Sequence, residues 1–502
     1  MTTARAGRVM GSVHRDPFPQ NRPISNAEVN IAFLFRKSFF NESIRTISSQ
    51  EIFVTFSNPS LQDSGIRFII PERLVIIPLP LTTGKGKEMD HKDWVRQELR
   101  KLSLSLGFRY TSLEEIANRL ARVRVGMERE GIEGLLVVQK MNFYYLSGTT
   151  QDGLLFVPLE GEPLLMIKRE IERAKGESPM RDVVPLKSNR EIPSLIRTHR
   201  SKVPHILGLE LDLLPVRDYF KFQGFFPGTQ FTDASSILRE TRKIKSLFEI
   251  DLMKKAGEIG AKVYQEAREI LEEGMTEVEF GGLLEAAAKR YGHEGLLRVR
   301  SLNYEAYTWH ILSGLTGGIV SQSDSPMGGL GLSPAFPVGA SLKVMKAREP
   351  ILVDFGTCFH GYQADETRMF SIGRMEQKFI NAYNACKEIH DAVLEETRPG
   401  TDCESLFLKT LPLAEKLGYK DSFLGPPHLQ TRFIGHGIGL ELNELPFLAQ
   451  GQSYPLEEGM TFAVEPKIVF PGEGSVGIEN TVVVTTDGYD ILTPAGQEIF
   501  EV

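Results

Sequence analysis

The sequence predicts an α/β domain followed by an α+β domain whose two halves are built alike. Three observations predict it. From about residue 111 to 236, helix-like and strand-like stretches alternate, the pattern of a small α/β domain. Beyond them, two long helical stretches lead into an acidic hairpin, and the same order returns further along the chain. Each hairpin carries two carboxylates within apolar strands, where a charge is costly unless something compensates it.

Residues 1–88 show no clear rhythm and scatter Pro, Asn and Ser. We read them as an extension, either outside the folded body or docked on it, with Met89 near the start of the folded, or even the translated, protein. The apolar run Phe68–Leu81 is broken by Pro71, Glu72, Arg73, Pro78 and Pro80, so no membrane span is expected. Arg5 and Arg8 are followed by no apolar segment, which argues against a signal peptide.

Residues 89–238 form the expected first domain. Its helix spans Ile116–Arg129, and its strands lie at Leu135–Val138, Leu154–Val157, Leu164–Ile167, Val183–Leu186 and Ile206–Leu211. Residues 239–502 form the expected second domain. A helix starts near Ser246 and runs to about Glu273, with Ser246 and Glu249 as a capping box. Thr276 and Glu279 start the next. Further helices span Gln377–Thr397 and Thr401–Leu417, the latter capped by Thr401 and Glu404. The Gly-rich run Gly314–Gly339 lacks the Lys-Ser or Lys-Thr of a phosphate loop; a substrate-covering loop or a dimer contact fits better.

A net charge of −7 gives no nucleic-acid footprint. The three cysteines, Cys358, Cys386 and Cys403, form no CxxC pair, so a reducing, cytoplasmic location is expected. Cys358 reads as a small buried residue.

The acidic hairpins carry the chemistry. Asp354 follows Ile351-Leu352-Val353, and Asp365 precedes Met369-Phe370, with His360-Gly361 as a turn between them. A hairpin centred between Phe359 and His360 would set Asp354 opposite Asp365, roughly 5 Å apart at Cβ. Glu465 and Glu479 flank Pro471-Gly472-Glu473-Gly474, with Gly472 at their midpoint. His436 sits in Gly435-His436-Gly437-Ile438-Gly439, where glycines let the backbone approach a neighbour. A solitary histidine is as readily packed as ligating; four carboxylates nearby favour a metal ligand. Such a set has the donors for two divalent metals, which can activate a water and polarise a carbonyl.

The order Asp354, Asp365, His436, Glu465, Glu479, with the aspartates eleven positions apart, GHGIGLE around the His and VEP around Glu465, resembles the pita-bread metallopeptidases. That family includes aminopeptidase P, prolidase and methionine aminopeptidase, with creatinase as a non-peptidase relative. The resemblance covers roughly residues 240 to 500. Asn142-Phe143-Tyr144-Tyr145-Leu146-Ser147-Gly148 is similar to a segment of the creatinase-like N-terminal domain in the aminopeptidase P and creatinase branch. Arg242-Lys243-Ile244-Lys245-Ser246, with Glu249, resembles the linker into its catalytic domain, and an ordinary capped helix start accounts for it equally. The resemblance implies a creatinase-like α/β domain followed by an α+β pita-bread domain with pseudo-two-fold symmetry. It implies two ions held by Asp354, Asp365, His436, Glu465 and Glu479, with Glu465 handling protons on the bridging water. Manganese suits the mostly carboxylate shell, with cobalt, iron and zinc as alternatives. A homodimer acting on a peptide or small-molecule substrate is expected, with no nucleic-acid or membrane partner.

The sequence also departs from the family. Proline-specific members place a second histidine seven residues after the ligand His; here that position is Asn443, a possible substrate contact that donates a hydrogen bond but shuttles no proton. They carry a histidine on a strand before the first Asp, and Ser313–Gly331 has none. His310 lies upstream and reads as a core or interface residue. An Arg often precedes the last Glu by two positions; here Gly477 stands there. Three readings follow: an Xaa-Pro exopeptidase, a metal-dependent lyase or C–N hydrolase acting on a small non-peptide, and, last, a non-catalytic interaction module.

Overall fold

The computed structural model describes residues 90–502 except 201, 303–308 and 322–324. The expectations for residues 1–88, including the run Phe68–Leu81 and a start at Met89, lie outside the described residues.

The chain begins with α1 (His91–Leu106), α2 (Leu113–Arg129), β1 (Gly134–Val137), α3 (Lys140–Ser147), β2 (Gly153–Pro158), β3 (Leu164–Ile167) and α4 (Ile171–Glu177). It continues with β4 (Val183–Pro185), α5 (Ile192–Arg200), β5 (Ile206–Leu209), α6 (Val216–Phe225), β6 (Gln230–Asp233) and α7 (Ser235–Lys243). The six strands form one sheet in the order β4-β3-β2-β1-β5-β6. Alternate residues point to opposite faces. Leu135, Val137, Leu155 and Val157 pack with Ile116, Leu120 and Val123 of α2, while Leu136, Leu154 and Phe156 pack with Ile192, Ile196 and Phe222. Five strands coincide with those read from sequence. The sixth, β6, has one apolar residue, Phe231, and no fully buried one, so its apolar signal is weak.

The catalytic part runs through α8 (Leu247–Ile270), α9 (Glu277–Arg290), β7 (Trp309–Ser313), β8 (Ile351–Phe359), β9 (Tyr362–Ser371), α10 (Gln377–Glu395) and α11 (Cys403–Lys416). Then come β10 (Phe433–Ile438), β11 (Leu442–Ala449), β12 (Thr461–Val464), β13 (Lys467–Phe470), β14 (Gly474–Gly477), β15 (Glu479–Val484), β16 (Tyr489–Ile491) and β17 (Phe500–Glu501). The main sheet runs β11-β10-β12-β15-β9-β8-β7, with β16 beside β15 and β17 beside β9. Helices α8 and α9 pack on β7, β8 and β9; α10 and α11 pack on the β10–β14 half. This is the pita-bread architecture, a curled and largely antiparallel sheet built from two alike halves and preceded by a creatinase-like domain.

Local chemistry explains the helix starts. The Ser246–Glu249 capping box is complete, and Thr276 accepts from the Glu279 amide. The expected Thr401–Glu404 cap is replaced: Asp402 caps α11 by accepting from Ser405 N, while Thr401 Oγ1 donates to Glu396 O. A carboxylate one residue nearer the helix outcompetes the hydroxyl, because it also meets the positive end of the helix dipole.

The first hairpin corrects the register expected from sequence. Asp354 pairs with Thr367, and Asp365 with Gly356. The turn is the two-residue His360-Gly361, both with positive φ (50° and 83°), as tight hairpins favour. Turn length sets register, so Asp365 slides two positions. A two-residue slip keeps the side chain on the same face, and the aspartates become diagonal neighbours. In the second region Lys467 pairs with Gly477 and Val464 with Asn480. Both pairs share the midpoint Gly472, as expected for Glu465 and Glu479.

Candidate metal centre

Five neighbouring strands of the sheet point donors at one spot. Asp354 lies on β8, Asp365 on β9, His436 on β10, Glu465 just past β12, and Glu479 opens β15. Glycines beside His436 explain how its strand fits: a Cβ at Gly435 would overlap Ala463 O, and one at Gly437 would overlap Glu444 O. The main chain thus nests between β12 and β11.

His436 Nε2 stands 3.8 Å from Asp365 Oδ2, 3.5 Å from Glu465 Oε1 and 4.0 Å from Glu479 Oε1. Its Nδ1 lies 3.2 Å from Gly437 O. A carbonyl only accepts, so Nδ1 carries a proton and donates to it, which orients the ring and turns Nε2 toward the carboxylates. Asp365, His436 and Glu479 each offer an atom within 4.8 Å of the others'. An imidazole nitrogen among carboxylate oxygens is a donor set that fits a fairly hard divalent ion.

Neighbours fix the donors. Asp365 Oδ1 accepts from Glu366 N at 3.1 Å, and its amide donates to Thr481 Oγ1 at 2.8 Å. Thr367 Oγ1 donates to Glu479 Oε2 at 2.7 Å. Arg368, fully buried, donates to Glu479 O at 2.7 Å and Asn480 Oδ1 at 2.8 Å.

A cation already lies against the cluster. Lys467, fully buried, holds Nζ 3.0 Å from Glu465 Oε2, 3.1 Å from Glu479 Oε2 and 3.5 Å from Asp354 Oδ2. Burial alone would disfavour its charge, but Glu465, Glu479 and Asp354 outweigh that and keep it an ammonium. Burial pushes the Asp354 carboxyl up to about 7 against the pull of Lys467. Burial, with Glu479 and Asp354 alongside, raises Asp365 well above the usual carboxylate range. Glu465 is raised by burial and opposed by Lys467. Burial acts on Glu479 in the same sense, but Lys467 and His436 outweigh it and hold that carboxyl below its ordinary value.

Sequence reasoning passed over Lys467. The signal was present: it stands two positions inside Glu465 and faces Gly477 across the same midpoint. A Cβ at Gly477 would lie 2.5 Å from Lys467 Cδ, so the lysine fills the volume that a side chain at position 477 would need.

His310 is buried, as expected of a core residue. It pairs with Asp354 across β7–β8, with Nε2 3.2 Å from Gly328 O, and burial lowers its pKa to about 4. Asn443 is exposed, with φ 65° in the β10–β11 bulge; among the described residues no hydrogen bond joins it to the five donors. Cys358 is fully buried, as expected.

Three segments noted in the sequence meet between the two domains. Arg242 donates to Asn142 Oδ1 at 2.8 Å, to Glu441 Oε2 at 2.7 Å and to Glu444 Oε1. Lys245 Nζ reaches Glu444 Oε2 at 3.3 Å, and Asn142 donates to Glu210 Oε1 at 2.6 Å. The linker, the N-terminal segment and the stretch after His436 thus form one buried polar junction.

Family models agree with this architecture. The creatinase/prolidase N-terminal domain matches residues 119–244, and metallopeptidase family M24 matches residues 251–486. The chain belongs to metallopeptidase family M24. A Xaa-Pro dipeptidase of Pyrococcus furiosus is 28% identical over 387 residues, covering 76% of this chain and 99% of the relative. The prolidase structure from Pyrococcus horikoshii superposes with TM-score 0.64 at 26% identity, covering 76% of this chain and 99% of that one. An X-Pro aminopeptidase from Thermotoga maritima gives TM-score 0.64 at 26% identity, covering 75% and 100%. The M24 family places this chain among the metallo-exopeptidases. Among the described residues, no helix is long and apolar enough to cross a membrane.

Proposed function

We propose that this M24 protein is a divalent-metal-dependent exopeptidase that removes the N-terminal residue of peptides, with Xaa-Pro bonds preferred. The observation that carries the reading is His436 Nε2, set within 4.0 Å of oxygens from Asp365, Glu465 and Glu479. The names of the relatives support the Xaa-Pro preference. Asp354, Asp365, His436, Glu465 and Glu479 make up the donor set, whose number would allow two ions, and manganese is the first candidate. A bound divalent ion supplies a water of lowered pKa and polarises the scissile carbonyl.

The protein's own groups do the rest. Glu465 takes the proton from the attacking water on one carboxylate oxygen and returns it to the leaving amine nitrogen, general acid–base work of roughly 10²–10⁴-fold in rate. Burial, by raising its pKa, suits it to that exchange. Lys467 fixes the orientation of Glu465 through Oε2. Three buried, unpaired cysteines support a cytoplasmic location, and the family resemblance supports a homodimer.

The test is release of the N-terminal residue from Xaa-Pro dipeptides and longer Xaa-Pro peptides after chelation and after manganese reconstitution. Activity that returns with metal supports the proposal. One observation favours a second reading, a lyase or C–N hydrolase acting on a small non-peptide: Asn443 is exposed and apart from the donors. Metal-dependent turnover of such a molecule, with none of peptides, would select it.

A further inference from the structure

Resting on the metal-dependent reading above, we propose that the Lys467 ammonium takes the place of one of two cations, so that this enzyme binds a single divalent ion, on the His436 side of the cluster.

The geometry divides the donors between two poles. One pole is His436 Nε2, the other Lys467 Nζ. Glu465 turns Oε1 to the histidine at 3.5 Å and Oε2 to the lysine at 3.0 Å. Glu479 does the same, with Oε1 at 4.0 Å and Oε2 at 3.1 Å. Asp365 faces only the histidine pole, at 3.8 Å, and Asp354 only the lysine pole, at 3.5 Å. Two glutamates therefore bridge two cation positions, as carboxylates bridge paired metals, but one position is held by an ammonium.

That ammonium has nowhere else to go. Among the described residues its hydrogen bonds run to these three carboxylates alone, and the side chain is wholly buried. Its stem is fixed by the β13–β14 pairing and fills the volume over Gly477. A second ion bound by Asp354, Glu465 and Glu479 would sit against a like charge that cannot withdraw to solvent. It would also strip the ammonium of its partners, and a buried unpaired charge is strongly unfavourable. A single ion at the histidine pole keeps every Lys467 contact.

The test is metal content after manganese loading and dialysis, read beside the Mn(II) paramagnetic resonance spectrum, with no reference to activity. The expected result is about one ion per wild-type chain with the spectrum of an isolated Mn(II), and about two ions with an exchange-coupled spectrum in Lys467→Met. Lys467→Arg, which retains the charge, should stay near one. Two tightly held, coupled ions in the wild type would overturn the inference while leaving the metal-dependent reading intact. One ion in both wild type and a folded Lys467→Met would overturn it too, since the lysine would not set the number. If Lys467→Met does not fold, the wild-type spectrum alone decides. No ion in the wild type would sink the metal-dependent reading itself.

Discussion

Lys467 faces Gly477 across the β13–β14 ladder, and its side chain occupies the space that a side chain at 477 would need. The two positions therefore act as one unit that delivers a single cation to the carboxylate cluster. Gly477→Arg alone should destabilise the fold by about 1–3 kcal/mol, the usual cost of overpacking. The double variant Lys467→Gly/Gly477→Arg should recover much of that loss, because one cationic stem replaces another. Urea denaturation of the four proteins in the cycle measures the coupling; additive effects would show that the two sites are independent.

Glu465→Gln should cost roughly 10²–10⁴-fold in kcat, because a neutral amide of the same shape takes no proton from water. The thermal midpoint should move far less than it does for Asp365→Ala. Steady-state rates and melting curves on metal-loaded protein make the comparison. Near-native turnover would exclude Glu465 as the proton carrier.

Arg242 holds Glu441 and Glu444 at the junction between the two domains. Arg242→Met leaves both buried carboxylates short of their partner and should cost about 3–5 kcal/mol. Chemical denaturation measures it. A loss below about 1 kcal/mol, the level of an exposed pair, would show that the junction is not structurally important.

His360 gives a pH signature. Packed 4.1 Å from Phe108, centroid to centroid, it has its pKa lowered by burial to about 4. The unfolded chain takes up that proton near pH 6.5, whereas the folded one resists until about pH 4. Stability from this group is therefore present above about pH 6.5 and lost progressively as pH falls toward 4, by about 2–3 kcal/mol at most. His360→Asn, which tolerates the positive φ, should flatten that slope. Urea midpoints at pH 7 and pH 4.5 provide the check, and equal losses in both proteins would assign the acid sensitivity elsewhere.

Much of the site was legible because strands repeat every two residues. Midpoint arithmetic on the second hairpin found Glu465 and Glu479 without structural help. On the first it erred by two positions, because the tight His360-Gly361 turn sets the register and an even slip leaves no trace in the face pattern. Capping boxes found the start of α8, but at α11 Thr401 and Asp402 competed and the nearer carboxylate prevailed. Lys467 was missed because lysine within an apolar strand looks like a solvated residue until its cross-strand partner is seen to be a glycine. The burial of His310 was legible, but its pairing with Asp354, 44 positions away in sequence and on the adjacent strand, was not.

The central claim is that this cluster performs metal-dependent exopeptidase chemistry. The most direct measurement sets turnover of Xaa-Pro dipeptides, longer Xaa-Pro peptides and non-proline peptides side by side on metal-loaded protein. The account predicts release of the N-terminal residue that disappears with chelator, is fastest on Xaa-Pro bonds, and is lost in Asp365→Ala. Folded, metal-loaded protein that hydrolyses none of these peptides would contradict it.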